Sequence, residues 1–218
     1  ERILMKELQD ERDRSEHLLL NILPVDIADR LKTGETDIAD KHDDVSIIFC
    51  DIINFTPQAQ KLNPNKLVNI LNEIFIKFDQ LADNRGIEKI KTIGDSYFAV
   101  SGLNGDKTQS AIEIIQLGKD FISSIKNIDS KTPEMELNIR IGIHTGSIVA
   151  GVIGKNKFAY DLWGASVNLA NRLETTCPPG RIQISEHTRS LTGDNFSYEV
   201  KEKTNIKGIG LVNTYIVD

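Results

Sequence analysis

Two aspartates stand where carboxylates could do chemistry. Asp51 lies in "IFCDIINF", an almost unbroken apolar run, and Asp95 lies in "TIGDSY", directly after a glycine. An ionised Asp in apolar surroundings costs several kcal/mol unless a charge or hydrogen bonds compensate it. Paired Asp oxygens suit Mg²⁺, which takes hard oxygen ligands and keeps positions open for phosphates. Two such ions about 4 Å apart can activate an attacking oxygen and stabilise a leaving one. Taken singly, Asp95 reads better as a turn residue following Gly94. A purely structural role is harder to accept for Asp51.

A second pair is Asn168 and Arg172 in "SVNLANRLE". Residues four apart share a helix face, and an amide with a guanidinium can address a sugar oxygen and a phosphate together. Arg suits phosphate through its fixed fork of donors. The same residues also permit plain surface pairing of Arg172 with Glu174 or a neighbour. His144, inside the strand-like "RIGIH", reads as a packed or hydrogen-bonded histidine rather than a general base.

The elements that must position these residues alternate regularly. A strand over 45–52 carries Asp51 at its end, one residue before Ile52. Asn63-Pro64 makes a good N-cap and first-turn pair, opening a helix with Leu67, Ile70, Leu71, Ile74, Phe75, Phe78 and Leu81 on one face. "IEKIKTIGDSYFAVSG", residues 87–102, reads as two strands around a tight turn at Gly94-Asp95, which lets one sheet bring Asp51 and Asp95 together. A second amphipathic helix spans 106–126. "ELNIRIGIHTGSIVAGVIG" reads as two strands around Thr145-Gly146, and a helix starts near Ala165. A short strand over 181–184, a small helix and a terminal hairpin around "NIKGIGLVNTYIV" complete the chain. The order is βαββαβ with an extra hairpin strand. It predicts an α+β fold with a ferredoxin-like or palm-type core, helices on one face of a mostly antiparallel sheet, and additional C-terminal strands and helices.

Residues 1–42 differ from 43–218. "ERILMKELQDERDRSEHLLL" is charge-rich, and placing Met5, Leu8, Leu19 and Ile22 at the a and d positions leaves Arg12 and Ser15 in the same seam. That broken heptad fits a weak coiled coil or a solvated helical linker. A short helix then runs from Pro24 towards Gly34, with Val25, Ile27, Ala28 and Leu31 as its docking face.

Bulk properties narrow the class. A chain of 218 residues with 39% hydrophobic content can bury one substantial core. A net charge of −6 argues against a general binder of nucleic acid or anionic membranes. Cys50 and Cys177 lie far apart without metal-ligand spacing, which fits a reducing cytoplasmic setting. No apolar run is long enough to span a membrane, and no signal-peptide pattern is present. The chain begins at Glu1 without a methionine, so it is expected to be part of a longer protein.

"FCDIINFT", "EKIKTIGDSYF", "RIGIHTGSIVAGVIG" and "YDLWGASVNLANRLE", in this order and followed by "NIKGIG", resemble the signature segments of class III nucleotidyl cyclases. The similarity covers about residues 44–218, and "LLLNILPVDIADRLKTGE" resembles the transducing helix that precedes such domains. The resemblance implies a homodimer of palm-type domains with two active sites at the shared interface. One chain would hold two Mg²⁺ (or Mn²⁺) ions on Asp51 and Asp95, with the Ile52 carbonyl assisting. The partner chain would offer Lys91 and Asp161 to the base, Asn168 to the ribose and Arg172 to the reacting phosphate. Lys207 would hold the terminal phosphates. After "HTG", some family members carry a phosphate-binding Arg where this chain has Ser147.

Once those positions are assigned, chemistry selects the base. Adenine offers an acceptor at N1 and a donor at N6, whereas guanine offers a donor at N1 and an acceptor at O6. Lys91 only donates and ionised Asp161 only accepts, so the pair fits adenine; guanylyl members of the family typically carry Glu and Cys there. Without the resemblance, Lys91 reads as a solvent-facing strand lysine beside Lys89. The expected activity is therefore an adenylate cyclase, converting ATP to 3′,5′-cyclic AMP and pyrophosphate in the cytoplasm, with an upstream sensor or membrane domain. The alternatives are a guanylate cyclase and a catalytically silent cyclase-like dimerisation or nucleotide-binding module. A diguanylate cyclase would show a GGDEF-type turn where this chain reads "TIGDSY".

Overall fold

The computed structural model describes residues 2–129, 132, 135–154, 157–206 and 208–218. Two helices open the chain, α1 (Arg2–Leu20) and α2 (Val25–Lys32), the second entered from Pro24. They are followed by β1 (Ala39–Ile52), a short α3 (Phe55–Ala59) and the long α4 (Pro64–Asp83). As the Asn63-Pro64 pair predicts, the Asn63 side chain accepts the Asn65 backbone N–H at 2.9 Å and Pro64 takes the first turn. Strands β2 (Glu88–Ile93) and β3 (Ser96–Ser101) flank the Gly94-Asp95 turn, where Gly94 adopts a φ of 63°. Next come α5 (Lys107–Asp129), β4 (Ile139–Ile153), β5 (Ala159–Trp163) and α6 (Ala165–Thr176). The chain closes with β6 (Ile182–Ser185), α7 (Glu186–Thr192), β7 (Tyr198–Ile206) and β8 (Gly210–Val217).

The chain divides into two compact units, residues 1–40 with 150–161, and residues 41–149 with 162–218. In the first, Leu23, Ile27, Ala28 and Ile38 form a small core with Leu19, Leu31, Val152 and Tyr160 against it. Three of the four residues expected on the apolar face of α2 are thus in place: Ile27 and Ala28 are buried and Leu31 packs against them, while Val25 is exposed. On the α1 stripe, Met5, Leu8 and Ile22 remain exposed and Leu19 turns into this core.

The second unit holds the main sheet, ordered β2-β3-β1-β4-β6-β8-β7. The β1–β3, β2–β3, β6–β8 and β7–β8 ladders are antiparallel and β4–β6 is parallel. Helices α4 and α5 cover one face, burying Ile74, Phe78, Ile114, Phe121 and Ile125 on Ile48, Cys50, Ile141 and Ile182. The Phe78 and Phe121 rings stack at 3.8 Å between the two helices. This is the α+β, palm-type arrangement expected from the element order.

Two details depart from the sequence reading. Residues 139–153 form one continuous strand rather than two, because Gly146 is not a turn: its φ is not positive, and it sits against Ser166, where a Cβ would lie 2.4 Å from Oγ. Helix α6 packs on the face opposite α4 and α5. Ile141 points towards α5, so its neighbour Gly142 points away, and there its bare Cα lies directly under α6.

Candidate active site

Asp51, the last residue but one of β1, pairs with Ser96, so the ladder sets Asp95 beside it. The strand period turns Ile48, Cys50 and Ile52 into the α4–α5 core and leaves Asp51 on the other face. The two carboxylates come within hydrogen-bonding reach of each other, and Asp95 is pushed up to about 6 by burial and then by the charge of Asp51. The Ile52 side chain is buried in the core, and the next residue anchors the strand end, with Ile53 N–H donating to the Asn138 carbonyl at 2.9 Å.

The charge that meets Asp51 within the chain is Arg140, on the adjacent strand β4. Its Nη2 donates to Asp51 Oδ2 at 3.1 Å, its Nε donates to Glu174 Oε1, and its Nη1 reaches the Thr175 carbonyl at 3.4 Å. Glu174 is 5% exposed. Burial raises its carboxyl to about 7, the negative charge of Asp51 adds to this, and Arg140 opposes it. One guanidinium thus spans a strand-end carboxylate and a buried carboxylate on α6.

Glu174 also decides what Arg172 does. With Glu174 turned inward to Arg140, the surface pairing of Arg172 with Glu174 does not form. Arg172 lies about 200° and Asn168 about 240° around the helix from Glu174, and both are exposed. Among the described residues Arg172 makes no ion pair. The spacing rule therefore held, and Asn168 and Arg172 share an outward face, but that face looks away from Asp51 and Asp95.

Lys91 lies half-buried on β2, with a β-bulge between Lys89 and Lys91. The bulge breaks the alternation that would have put the two lysines on one face. Lys89 bonds Asp79 at 2.8 Å, where the Tyr97 hydroxyl also donates. Asp161 is half-buried on β5 and belongs to the first compact unit. Lys207 lies outside the described residues. Ser147, where some cyclases carry Arg, donates to Asp43 at 2.7 Å.

His144 is a bonded histidine, as its strand setting predicts. Its Nδ1 lies 2.7 Å from Ser185 Oγ, and a chain of buried hydroxyls continues through Thr188 and Thr145 to Ser46. Burial and then His187 push the imidazole down to about 4.

Among the described residues no cluster of three or more His, Cys, Asp or Glu side chains is arranged to hold a metal ion. The donor set here is smaller, two carboxylates at a strand end and a turn, and it fits Mg²⁺, which commonly takes one or two protein carboxylates and completes its shell with water and substrate phosphates. The repulsion that raises Asp95 is what a divalent cation between the two groups would relieve. Sequence reasoning missed Arg140 and gave Glu174 to the wrong Arg. The available signal was a lone cation in the apolar alternation of "NIRIGIH".

A family model described as the adenylate and guanylate cyclase catalytic domain matches residues 38–218. The chain belongs to this family, whose members use divalent metal ions. An adenylate cyclase of Mycobacterium tuberculosis is 40% identical over 95% of this chain and 47% of its own length. A receptor-type guanylate cyclase of Caenorhabditis elegans is 36% identical over 97% of this chain and 20% of its own length. The guanylate cyclase domain of RhGC from Catenaria anguillulae, solved in complex with GTP, superposes with a TM-score of 0.77 at 30% identity, covering 82% of this chain and 98% of that one. The chain thus spans half or less of these curated relatives. None of its described helices is long and apolar enough to cross a membrane.

Proposed function

We propose that this domain is an adenylate cyclase, converting ATP to 3′,5′-cyclic AMP and pyrophosphate at two sites shared between the chains of a homodimer. The observation that carries this reading is the split within one chain: Asp51 and Asp95 meet on the sheet, whereas Asn168 and Arg172 face outward from α6. A second copy supplies the missing half of each site.

Asp51 and Asp95, with the Ile52 carbonyl, would hold two Mg²⁺ or Mn²⁺ ions. Bound there, the divalent cations supply the charge that lowers the pKa of the ribose 3′-hydroxyl and neutralises the triphosphate. Asn168 orients the ribose, so that its 3′-oxygen lies in line with the α-phosphate and the pyrophosphate leaves opposite. Arg172 stabilises charge at the reacting phosphate, and Lys207 holds the terminal phosphates. Lys91 donates to adenine N1 and Asp161 accepts from N6. These two also weigh against the guanylate reading, because a site built to pair polar groups rejects an analogue that leaves them unpaired. The supply of ATP places the reaction in the cytoplasm, under a sensor or membrane domain joined at the N-terminal helices.

Product analysis after incubation with ATP and with GTP, each with Mg²⁺ or Mn²⁺, tests the assignment. Cyclic AMP as the dominant product supports it, cyclic GMP supports a guanylate cyclase, and no product with either supports a silent module. The shared site has its own assay. Asp51→Ala and Asn168→Ala chains, each inactive, regain activity on mixing because one heterodimer site is intact. Subunit exchange without rescue overturns the division.

A further inference from the structure

We propose that Arg140 is a positioning residue linking the two active sites of the dimer, an inference that rests on the shared-site reading above. Its guanidinium is held at both ends. One end bonds Asp51 at 3.1 Å, and the other bonds Glu174 and the Thr175 carbonyl on α6. Two residues before Glu174, the same helix presents Arg172, and one turn earlier Asn168. In a dimer with divided sites, Asp51 serves one site, while Asn168 and Arg172 serve the other. Arg140 is therefore a rigid link, inside one protomer, between a carboxylate of the first site and the phosphate-binding helix of the second.

The surroundings leave this link little slack. Glu174 is buried and bonded to Arg140, so parting from it would leave a buried polar group without its partner. The backbone of α6 rests on Gly142, two residues along β4 from Arg140, so close that a Cβ there would lie 2.0 Å from the Glu174 nitrogen. A shift of Asp51 passes through the planar fork of Arg140 to α6 rather than being absorbed by a flexible side chain. Misplacement of a substrate-positioning group by about 1 Å can cost roughly a hundredfold in rate.

A complementing pair provides the test. So that Asp51 stays on Arg140 in both chains, the metal half is disabled through Asp95: in a heterodimer of an Asp95→Ala chain with an Asn168→Ala chain, the intact site takes Asp51 and Asp95 from the second chain and Asn168 from the first. Arg140→Gln is added to one chain at a time. The proposal expects turnover at that site to fall about tenfold or more in either case. Carried by the Asp51-giving chain, the change also shifts the Mn²⁺ concentration for half-maximal rate. Carried by the Asn168-giving chain, it leaves Mn²⁺ dependence in place and alters turnover and the KM for ATP.

Mn²⁺ binding without nucleotide, read by electron paramagnetic resonance, supplies a measure independent of turnover. The Arg140→Gln homodimer should bind at least as tightly as the parent, since a cation beside Asp51 is gone. Arg140→Lys keeps the charge but spans only one of the two carboxylates, so it should fold, bind Mn²⁺ as the parent does and still lose turnover. An effect confined to the Asp51-giving chain overturns the link, as does loss of Mn²⁺ binding in Arg140→Lys or full turnover in both variants. Silence of the unmodified complementing pair instead overturns the shared site, and the link with it.

Discussion

Gly142 lies so close beneath Ala170 that a Cβ on it would stand 2.4 Å from the Ala170 carbonyl oxygen. The obstruction is backbone on the α6 side and cannot rotate away, so helix and strand must separate to admit even a methyl group. Gly142→Ala is therefore expected to destabilise the domain by about 3 kcal/mol and to lower turnover, because α6 carries Asn168 and Arg172. Chemical denaturation and cyclase assay of the same preparation check both. Gly146→Ala, which meets the Ser166 hydroxyl and the His144 ring rather than helix backbone, should cost less.

The meeting of Asp51 and Asp95 sets a pH dependence. In the metal-free protein Asp95 titrates near 6, above its ordinary 3.8, so the fold holds that proton more tightly than the unfolded chain does. Stability from this source is present at low pH and is lost as pH rises from about 4 to about 6, by about 1 kcal/mol once solvent screening is allowed for. A divalent cation reverses the balance. Mn²⁺ should raise the melting temperature more above about pH 7 than near pH 5, where protons compete for the same oxygens. Asp95→Asn should remove most of that Mn²⁺ response while raising metal-free stability at neutral pH.

His144 predicts the opposite slope. The folded protein holds it neutral down to about 4, below its ordinary 6.5. An unfolded chain takes up a proton that the fold refuses, so stability is lost as pH falls through this window, by about 2–3 kcal/mol in total. Denaturant titrations at stepped pH should show the loss, and His144→Gln, which cannot protonate, should flatten it.

Base selection has a reciprocal test. Lys91→Glu together with Asp161→Cys reverses the donor and acceptor offered to the base. The double variant should lose about a hundredfold or more in ATP turnover and gain on GTP, read by separating the two cyclic products. Loss of ATP turnover with no gain on GTP would show that these side chains do not face the base.

Much of this architecture was legible in the sequence because it rests on local signals. Asn63-Pro64 opened α4, Gly94 turned the β2–β3 hairpin, and the apolar period of 106–126 marked the helix that became α5. Asp51 stood out because an apolar run makes a carboxylate costly. What escaped was set by contacts between segments far apart in the chain. Gly146 looks like a turn until Ser166 is seen against it, and Glu174 looks like a surface partner for Arg172 until Arg140 is found eighty-nine residues from Asp51. That Asn168 and Arg172 share a face followed from helical spacing, but that this face points outward and away from the two aspartates depended on which face of the sheet α6 covers.

The two cysteines have a practical consequence. Cys50 and Cys177 are the chain's whole complement, both free and both buried. Burial raises the Cys50 thiol well above its ordinary value and Cys177 to about 11, so neither offers the thiolate that alkylating reagents need. A single cysteine introduced at an exposed α6 position such as Asn171 would then react alone, without removing either native thiol. A spin label or fluorophore placed there would report the separation of this helix from its counterpart in a second chain as nucleotide and metal are added.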